Sequence, residues 1–341
     1  MSKMFAAFSK KTFIAAAAVA LAVFCAGFAS GWLLGEKKRN WDTDRSMQEA
    51  RLGGYDFINP LLECEEGAQA IGSQALYPFK HEVELLIEES KRKNWVSHVS
   101  VYFREMNNGL TIDIGGEEKF TPASLIKVPI LIAYLKTAES NPAIMNKKLA
   151  FTLVDNDRVQ SIKPAEAMEA GKSYSIQDLL FRMITYSDNN AYFLLMNAVD
   201  KNTLHRVYTD LGLEVPKVRN RDDYMTVKEY AAFFRVLFNA SYLNKDMSEK
   251  AMEYLAEVDF TRGLVSGVPP KTVVAHKFGE KTLGADQEIK QLHDCGIVYY
   301  PKHPYLLCVM TRGASFDYLD DTIKDISHLV YEEVNMHYQE Q

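Results

Sequence analysis

The sequence is poor in cysteine and lacks any cluster of metal-binding side chains. Its four cysteines stand at positions 25, 64, 295 and 308, which matches neither a dense disulfide framework nor the paired spacing of a zinc site. Its eight histidines are scattered, and no two of them are four residues apart. The sequence therefore predicts no metal and no cofactor.

Concentrated positive charge is lacking as well. The 341 residues carry a net charge of −6 without a long basic run, so the basic surface that nucleic acids require is not expected. The hydrophobic content of 47% is that of a globular protein, and the length allows one large domain or two ordinary ones. Nucleic acid is therefore not expected to be a partner.

One long run near the start lacks charge altogether. Residues 13–34, 22 positions in all, contain no charged side chain and are mostly apolar, which is enough for a helix to cross a bilayer. Three basic residues precede this run and three follow it, so the positive-inside rule leaves its orientation open. Its length favours an uncleaved single-pass anchor over a signal peptide, with cleavage near 26–29 as the alternative.

The domain organisation follows from this run and from the composition after it. We predict an N-terminal tail over 1–12, a transmembrane anchor over 13–34, a polar linker over 35–76 and a folded domain over 77–341. Within the domain, strand-like alternation near both ends encloses a mostly helical middle. This pattern is typical of an α+β fold, with an antiparallel sheet assembled from the two ends.

The two cysteines of the C-terminal strands are not expected to bond with each other. The runs 293–300 and 305–312 are predicted strands, and the residues Pro301–Pro304 connect them. A turn confined to these four residues sets Cys308 opposite Ile297 and not opposite Cys295. A direct disulfide between the two strands is therefore not predicted.

Ser124 and Lys127 stand three residues apart at the start of an apolar helix. Residues at this spacing share a helix face, and a serine needs a neighbouring base to act as a nucleophile. Lys127 is flanked by apolar residues, where an ammonium is costly unless it has partners or loses its proton. We interpret Ser124 as a nucleophile and Lys127 as its base. The ordinary alternative is an exposed serine and lysine, and Pro129 is expected to bend the helix.

Two further polar motifs follow in order. Ser187-Asp188-Asn189 interrupts two apolar-periodic helical segments, as either a solvated turn or the lining of a site, and Lys277-Phe278-Gly279 lies in a predicted strand. The order S-x-x-K, S-D-N, K-x-G, with separations 187 − 124 = 63 and 277 − 187 = 90 residues, resembles the serine β-lactamase and penicillin-binding protein superfamily. The class A β-lactamase catalytic domain is the most similar, and the resemblance covers Tyr77 to the C-terminus.

The resemblance implies a fold and three catalytic residues. The fold is the serine β-lactamase/transpeptidase-like α+β fold, in which a central helical subdomain packs on the antiparallel sheet. Ser124 would carry the acyl group, and Lys127 would take its proton, alone or through water. Ser187 would relay a proton to the leaving nitrogen, because a hydroxyl both donates and accepts.

The resemblance also implies substrate-binding residues. Asn189 would bind a substrate amide, while Lys277 would supply positive charge for a substrate carboxylate and lower the pKa of the catalytic lysine by repulsion. Gly279 completes the strand motif, and the backbone N–H of Glu280 would join that of Ser124 in an oxyanion hole. From the residues alone, Asn189 is equally a helix cap and Lys277 a solvated strand residue.

The sequence departs from the family pattern at two points. Phe278 stands where the family usually has Thr or Ser, which removes a hydroxyl that binds the substrate carboxylate. The E-x-x-L-N segment, whose glutamate activates the deacylating water in class A enzymes, is absent between the second and third motifs. The acids in the corresponding interval after Asp210 are Glu214, Asp222 and Asp223.

The resemblance predicts a membrane-anchored, extracytoplasmic serine hydrolase or acyltransferase that forms an acyl-enzyme on Ser124. Its substrate would be a β-lactam or a D-Ala-D-Ala-like peptidoglycan peptide, so the tail over 1–12 would be cytoplasmic. One alternative is a true class A β-lactamase with a substitute deacylating group. Another is a non-catalytic penicillin-binding sensor that kept the pocket, for which Phe278 is the argument.

Overall fold

The domain is built on one antiparallel sheet with helices on both faces. The computed structural model describes residues 49–64, 77–152, 166–216, 223–284 and 288–338. The strands in these ranges are β1 (Glu49–Arg51), β2 (Leu61–Cys64), β3 (His98–Glu105), β4 (Thr111–Ile114), β5 (Lys119–Phe120), β6 (Lys148–Ala150), β7 (Ser173–Ser175), β8 (Met225–Thr226), β9 (Val274–Leu283), β10 (Ile289–Val298) and β11 (Tyr305–Gly313). The α-helices are α1 (Tyr77–Arg92), α2 (Lys127–Ser140), α3 (Ile176–Thr185), α4 (Asn189–Ala198), α5 (Lys201–Thr209), α6 (Val227–Phe238), α7 (Lys245–Ala256) and α8 (Phe316–Tyr338).

The five-stranded sheet has the order β4-β3-β11-β10-β9, and every neighbouring pair is antiparallel. Strands β3 and β4 precede the helical middle of the chain, whereas β9, β10 and β11 follow it. The sheet is therefore assembled from both ends of the domain, which confirms the predicted α+β architecture. Strand β9 is left at one edge of the sheet.

Two helices of the middle region begin where the sequence supplies reciprocal caps. Ser175 accepts from the Asp178 backbone N–H while the Asp178 side chain accepts from Ser175, and α3 starts at the next residue. Thr226 and Glu229 form the same arrangement before α6. Such capping boxes satisfy backbone N–H groups that have no partner within the helix. They explain why α3 begins at Ile176 and α6 begins at Val227.

The two faces of the sheet pack into separate cores. Helices α1 and α8 cover one face, and α2, α3 and α6 belong to the core on the other. Along β9, Val274 belongs to the first core and Ala275 to the second. Because side chains alternate along a strand, Lys277 and Gly279 are directed to the same side as Ala275, toward α2, α3 and α6. We call the core on this side the helical-layer core.

Part of the predicted linker over 35–76 is folded, which corrects that boundary. Residues 49–64 contain the antiparallel pair β1-β2, and Ile58 is buried in the helical-layer core. The backbone N–H groups of residues 56–58 donate to the Glu249 carboxylate at 2.9 to 3.2 Å. The connection between the two strands is hydrogen-bonded to a side chain that is distant in sequence, so the local composition did not indicate this hairpin.

The expectation about the cysteines is wrong, because Cys295 lies directly opposite Cys308 and forms a disulfide with it. The connection between the strands is longer than the predicted four-residue turn: β10 ends at Val298, which pairs with Tyr305. Two tyrosines thus leave the ladder before the prolines, and this shifts the register by two residues. Both cysteines are buried in the helical-layer core.

The predicted tail over 1–12 and anchor over 13–34 lie outside the described residues. Within the ranges that the structure describes, no helix combines the length and the apolar character needed to cross a membrane. The anchor therefore stays a prediction from the sequence.

Candidate active site

The candidate site forms where edge strand β9 meets the turn before α2. A Cβ at Gly279 would lie 2.9 Å from the Pro122 carbonyl oxygen and 3.2 Å from the Leu125 nitrogen. Only glycine permits this close approach of strand and turn. The contact brings the backbones on either side of it together, and these contain Ser124 and Glu280, whose N–H groups are the predicted oxyanion-hole donors.

Ser124 lies in a short 3-10 turn, Ala123–Ile126, directly before α2. Ala123 has a φ of 51°, a left-handed conformation that is costly for a residue other than glycine and recurs at functional sites. The side chain of Ser124 is half-buried. Pro129, at which the sequence predicts a bend, removes no hydrogen bond from this helix. It lies in the first turn of α2, where backbone N–H groups have no intrahelical partner.

Lys127 connects the start of α2 to the S-D-N turn. Its Nζ donates to the Ser187 carbonyl oxygen at 2.5 Å, to Ser187 Oγ at 3.1 Å and to Asn189 Oδ1 at 2.9 Å. Burial lowers the pKa of this amine to about 7, although the carboxylates of Asp188 and Glu280 oppose the shift. An amine with this pKa is substantially neutral at pH 7 and can accept a proton. In the part of the chain that the structure describes, no hydrogen bond joins Lys127 to Ser124.

The S-D-N turn presents its two outer side chains to the lysine and uses the middle one as a cap. Asp188 accepts from the backbone N–H groups of Asn190 and Ala191 at the start of α4, and burial raises the pKa of its carboxyl. Ser187 has a φ of 52°, the second strained residue of the site. The cap of α4 is therefore Asp188 and not Asn189, and the amide oxygen of Asn189 accepts a hydrogen bond from Lys127.

Lys277 is a buried member of the site and not a solvated strand residue. Its Nζ donates to Ser187 Oγ and to the Phe278 carbonyl oxygen, both at 3.0 Å, and its side chain is 0% exposed. Burial, and then repulsion by Lys127, lowers the pKa of Lys277 well below its usual value. Repulsion by Lys277 was expected to lower the pKa of Lys127, whereas the cause that lowers it is burial.

Three aromatic side chains join the site, and two of them, Tyr192 and Phe260, belong to none of the sequence motifs. The Tyr192 ring lies 5.9 Å from Lys127 Nζ, one helical turn beyond the S-D-N asparagine. The ring of Phe278 lies 4.1 Å from Lys277 Nζ, and it stacks on Phe260 with ring centroids 4.1 Å apart. Phe260 is remote in sequence from every motif, so only the folded chain reveals it.

Neither of the two described acids in the interval after Asp210, Glu214 and Asp223, is placed as a substitute for the missing glutamate. Asp223 Oδ1 accepts from Thr121 Oγ1 at 2.8 Å, and Oδ2 pairs with Arg312 at 2.7 Å. Both oxygens of this carboxylate are therefore engaged in holding the strand before the Ser124 turn. Glu214 is exposed, and Asp222 lies outside the described residues.

The sequence profile of the Beta-lactamase enzyme family matches residues 79–334, which is most of the chain and all of the site. The chain belongs to the Beta-lactamase enzyme family. A serine hydrolase active site is therefore the general reading of the cluster around Ser124. No curated protein matches the chain.

Solved structures of similar fold extend this family comparison. PBP-A is 20% identical, with 76% of this chain and 97% of that chain covered at a TM-score of 0.63. A β-lactamase from Chitinophaga pinensis is 18% identical, with 76% and 100% covered at a TM-score of 0.65. A class A β-lactamase from Mycobacterium abscessus is 19% identical, with 75% and 99% covered at 0.63. At these identities the likeness establishes the α+β fold of the serine β-lactamase and penicillin-binding superfamily.

The pH dependence of acylation is the first test of the Lys127 assignment. A general base must be unprotonated, and the pKa of Lys127 is about 7. We therefore expect the acylation rate to rise with pH, about tenfold per unit well below this pKa, and to level off above it. Stopped-flow or quenched-flow measurement between pH 5 and pH 9 checks the profile. A rate that is flat across this range, or that falls as pH rises, would contradict Lys127 as the base.

Proposed function

We propose that this protein is a membrane-anchored, extracytoplasmic serine hydrolase or acyltransferase that forms an acyl-enzyme on Ser124. The donor would be a β-lactam or a D-Ala-D-Ala-like peptide. The observation that carries the proposal is the convergence of two buried amines, Lys127 and Lys277, on the single hydroxyl of Ser187. Burying two amines is costly, and a relay of protons to and from a reacting bond gives that arrangement a use.

The chemistry can be written with the residues in these positions. Ser124 Oγ attacks the carbonyl carbon of the amide while its proton passes to Lys127. The carbon–nitrogen bond then breaks, and the nitrogen takes a proton from Ser187 Oγ, which is refilled by the Lys127 ammonium that donates to it. The backbone N–H groups of Ser124 and Glu280 would bind the oxyanion. Water then cleaves the ester, releases the acid and restores Ser124.

Two other functions have a specific observation in their favour. The family and the class A structures are equally consistent with a true β-lactamase, whose deacylating group would differ from the glutamate of the E-x-x-L-N segment. A related solved structure is described as a mutant of PBP-A in an acyl-enzyme complex with penicillin G, so this fold can hold such an ester. Phe278 remains the argument for a penicillin-binding sensor without turnover.

We expect a burst followed by slow release when the protein meets a chromogenic cephalosporin. General-base help to the deacylating water is worth roughly 10²–10⁴ in rate, and Asp223 is engaged elsewhere. One equivalent of product should therefore form rapidly and the steady-state rate should be far lower. Intact-mass spectrometry during the slow phase should show the acylated protein. Sustained rapid turnover with no burst would instead favour the β-lactamase alternative.

Two observations support the extracytoplasmic location. The apolar run over 13–34 can serve as an anchor, and a Cys295–Cys308 disulfide forms and persists most readily in an oxidising compartment. We expect the full-length protein to stay with membranes during carbonate extraction and to be accessible to protease added outside the cells. Recovery of a soluble protein that starts near Ser30 would identify a cleaved signal peptide. Protection from external protease would contradict the proposed topology.

A further inference from the structure

The wall of the cleft next to Lys277 differs chemically from a carboxylate-binding site. Such a site needs an accessible cation or several donors directed at the ligand. Here the Lys277 amine is fully buried, and it donates hydrogen bonds to Ser187 Oγ and the Phe278 carbonyl oxygen. Burial also lowers the pKa of this amine well below its usual value. The amine is thus committed to the protein before any substrate arrives.

An aromatic pair covers this amine. The Phe278 ring lies 4.1 Å from Lys277 Nζ, is 2% exposed, and stacks on Phe260, which is 4% exposed. The ring planes differ by only 18°, so moving Phe278 aside would break a well-packed contact. A carboxylate that approached Lys277 would have to displace a ring that offers no hydrogen bond. Burying an unpaired charge beside this ring is costly.

The negative charge of Glu280, on the same strand, also disfavours a carboxylate beside Lys277. Glu280 follows Phe278 by two residues along β9 and is half-buried. Its negative charge opposes the lowering of the pKa of both Lys127 and Lys277, which places it within electrostatic range of the site. The guanidinium of Arg262, two residues after Phe260, is paired with Asp317 and Asp320 at 3.0 and 2.9 Å.

We propose that the cleft selects acyl donors whose group beside Lys277 is uncharged, such as a β-lactam or peptide with an esterified or amidated carboxylate. The inference rests on the proposed function, because it concerns which donor forms the Ser124 ester. In the reaction the β-lactam C–N bond breaks, Ser124 Oγ bonds to the carbonyl carbon and the ring nitrogen takes the proton. The carboxylate that is masked takes no part in these steps, so masking it changes recognition and not the chemistry.

The test compares benzylpenicillin with its methyl ester on the full-length protein. Acylation is followed by intact mass, and the rate of each compound with hydroxylamine corrects for intrinsic reactivity. We expect the corrected rate for the methyl ester to exceed that for the free acid by about tenfold or more. An equal or faster rate with the free acid would overturn the inference while leaving the proposed function standing. Absence of acylation by both compounds would overturn the proposed function and, with it, this selectivity.

Variants of Phe278 locate the selectivity. Phe278→Thr should shift the ratio toward benzylpenicillin, since it uncovers Lys277 and supplies a hydroxyl, whereas Phe278→Leu keeps an apolar cover and should retain the preference. A ratio that is the same in wild type and Phe278→Thr would contradict the role given to this ring. If Phe278→Thr unfolds, judged by circular dichroism, the wild-type ratio still decides the inference, and Glu280→Gln should reduce the preference without unstacking the rings.

Discussion

Replacement of Ser124 by alanine is expected to abolish covalent labelling by penicillin-type acyl donors. The acyl group is carried by the Ser124 oxygen, so no ester can form without it. The side chain is half-buried in a turn whose shape is set by Ala123 and by the contact with Gly279. Loss of one hydroxyl leaves both features in place, and folding should be retained. Intact-mass spectrometry after prolonged incubation with excess probe gives the measurement.

The matched control is Ser140→Ala at the other end of α2. Ser140 is exposed and its hydroxyl donates to the Thr137 carbonyl oxygen, so this variant should label like the wild type. Equal labelling of wild type and Ser124→Ala would show that the nucleophile is a different residue. Labelling of neither protein by any acyl donor would instead favour the sensor alternative.

Replacement of Lys127 should slow acylation by on the order of a hundredfold or more, the usual cost of losing a general base. Lys127→Ala also removes a buried side chain that holds the S-D-N turn through Ser187 and Asn189. Lys127→Met keeps most of the volume and removes only the amine. Both variants should lose the rise in rate with pH, because that rise reports the Lys127 proton. Single-turnover acylation rates at several pH values test this.

Lys136→Ala is the control for the lysine variants. Lys136 is on the same helix, but it pairs with Glu139 at 2.9 Å and donates to the Tyr242 carbonyl oxygen, away from the motifs. Its acylation rate should stay within about twofold of wild type. Lys127→Met with an unchanged rate and an unchanged pH profile would show that another group takes the Ser124 proton.

Short-range spacing was sufficient for the motifs, but their partners required the fold. Ser124 and Lys127 are neighbours in sequence, and the S-D-N turn follows from three short polar side chains between apolar segments. The stack of Phe260 on Phe278 and the engagement of Asp223 by Arg312 join residues far apart in the chain. No local pattern encodes such pairs, because each side chain has an ordinary identity and acquires its role only through packing.

The register of the sheet shows the same division for the disulfide. The two strand runs were recognisable from their apolar residues, yet the offset between them depended on where Tyr299 and Tyr300 leave the ladder. The backbone N–H of Tyr299 donates to the carbonyl oxygen of Val273, the residue that directly precedes β9. A contact outside the hairpin thus holds the start of the loop, and the register places Cys295 against Cys308.

The sequence by itself determined the α+β class and the order of the three motifs, because periodicity and spacing are local properties, and the resemblance of those motifs to a family implied the residues of the proposed chemistry. Only the tertiary structure decided the electrostatic state of the site. The pKa values of Lys127 and Lys277 are both lowered because the fold buries the two amines beside Ser187. Burial is a property of the whole packed domain, so the pKa of an amine cannot be read from the residues beside it in the chain.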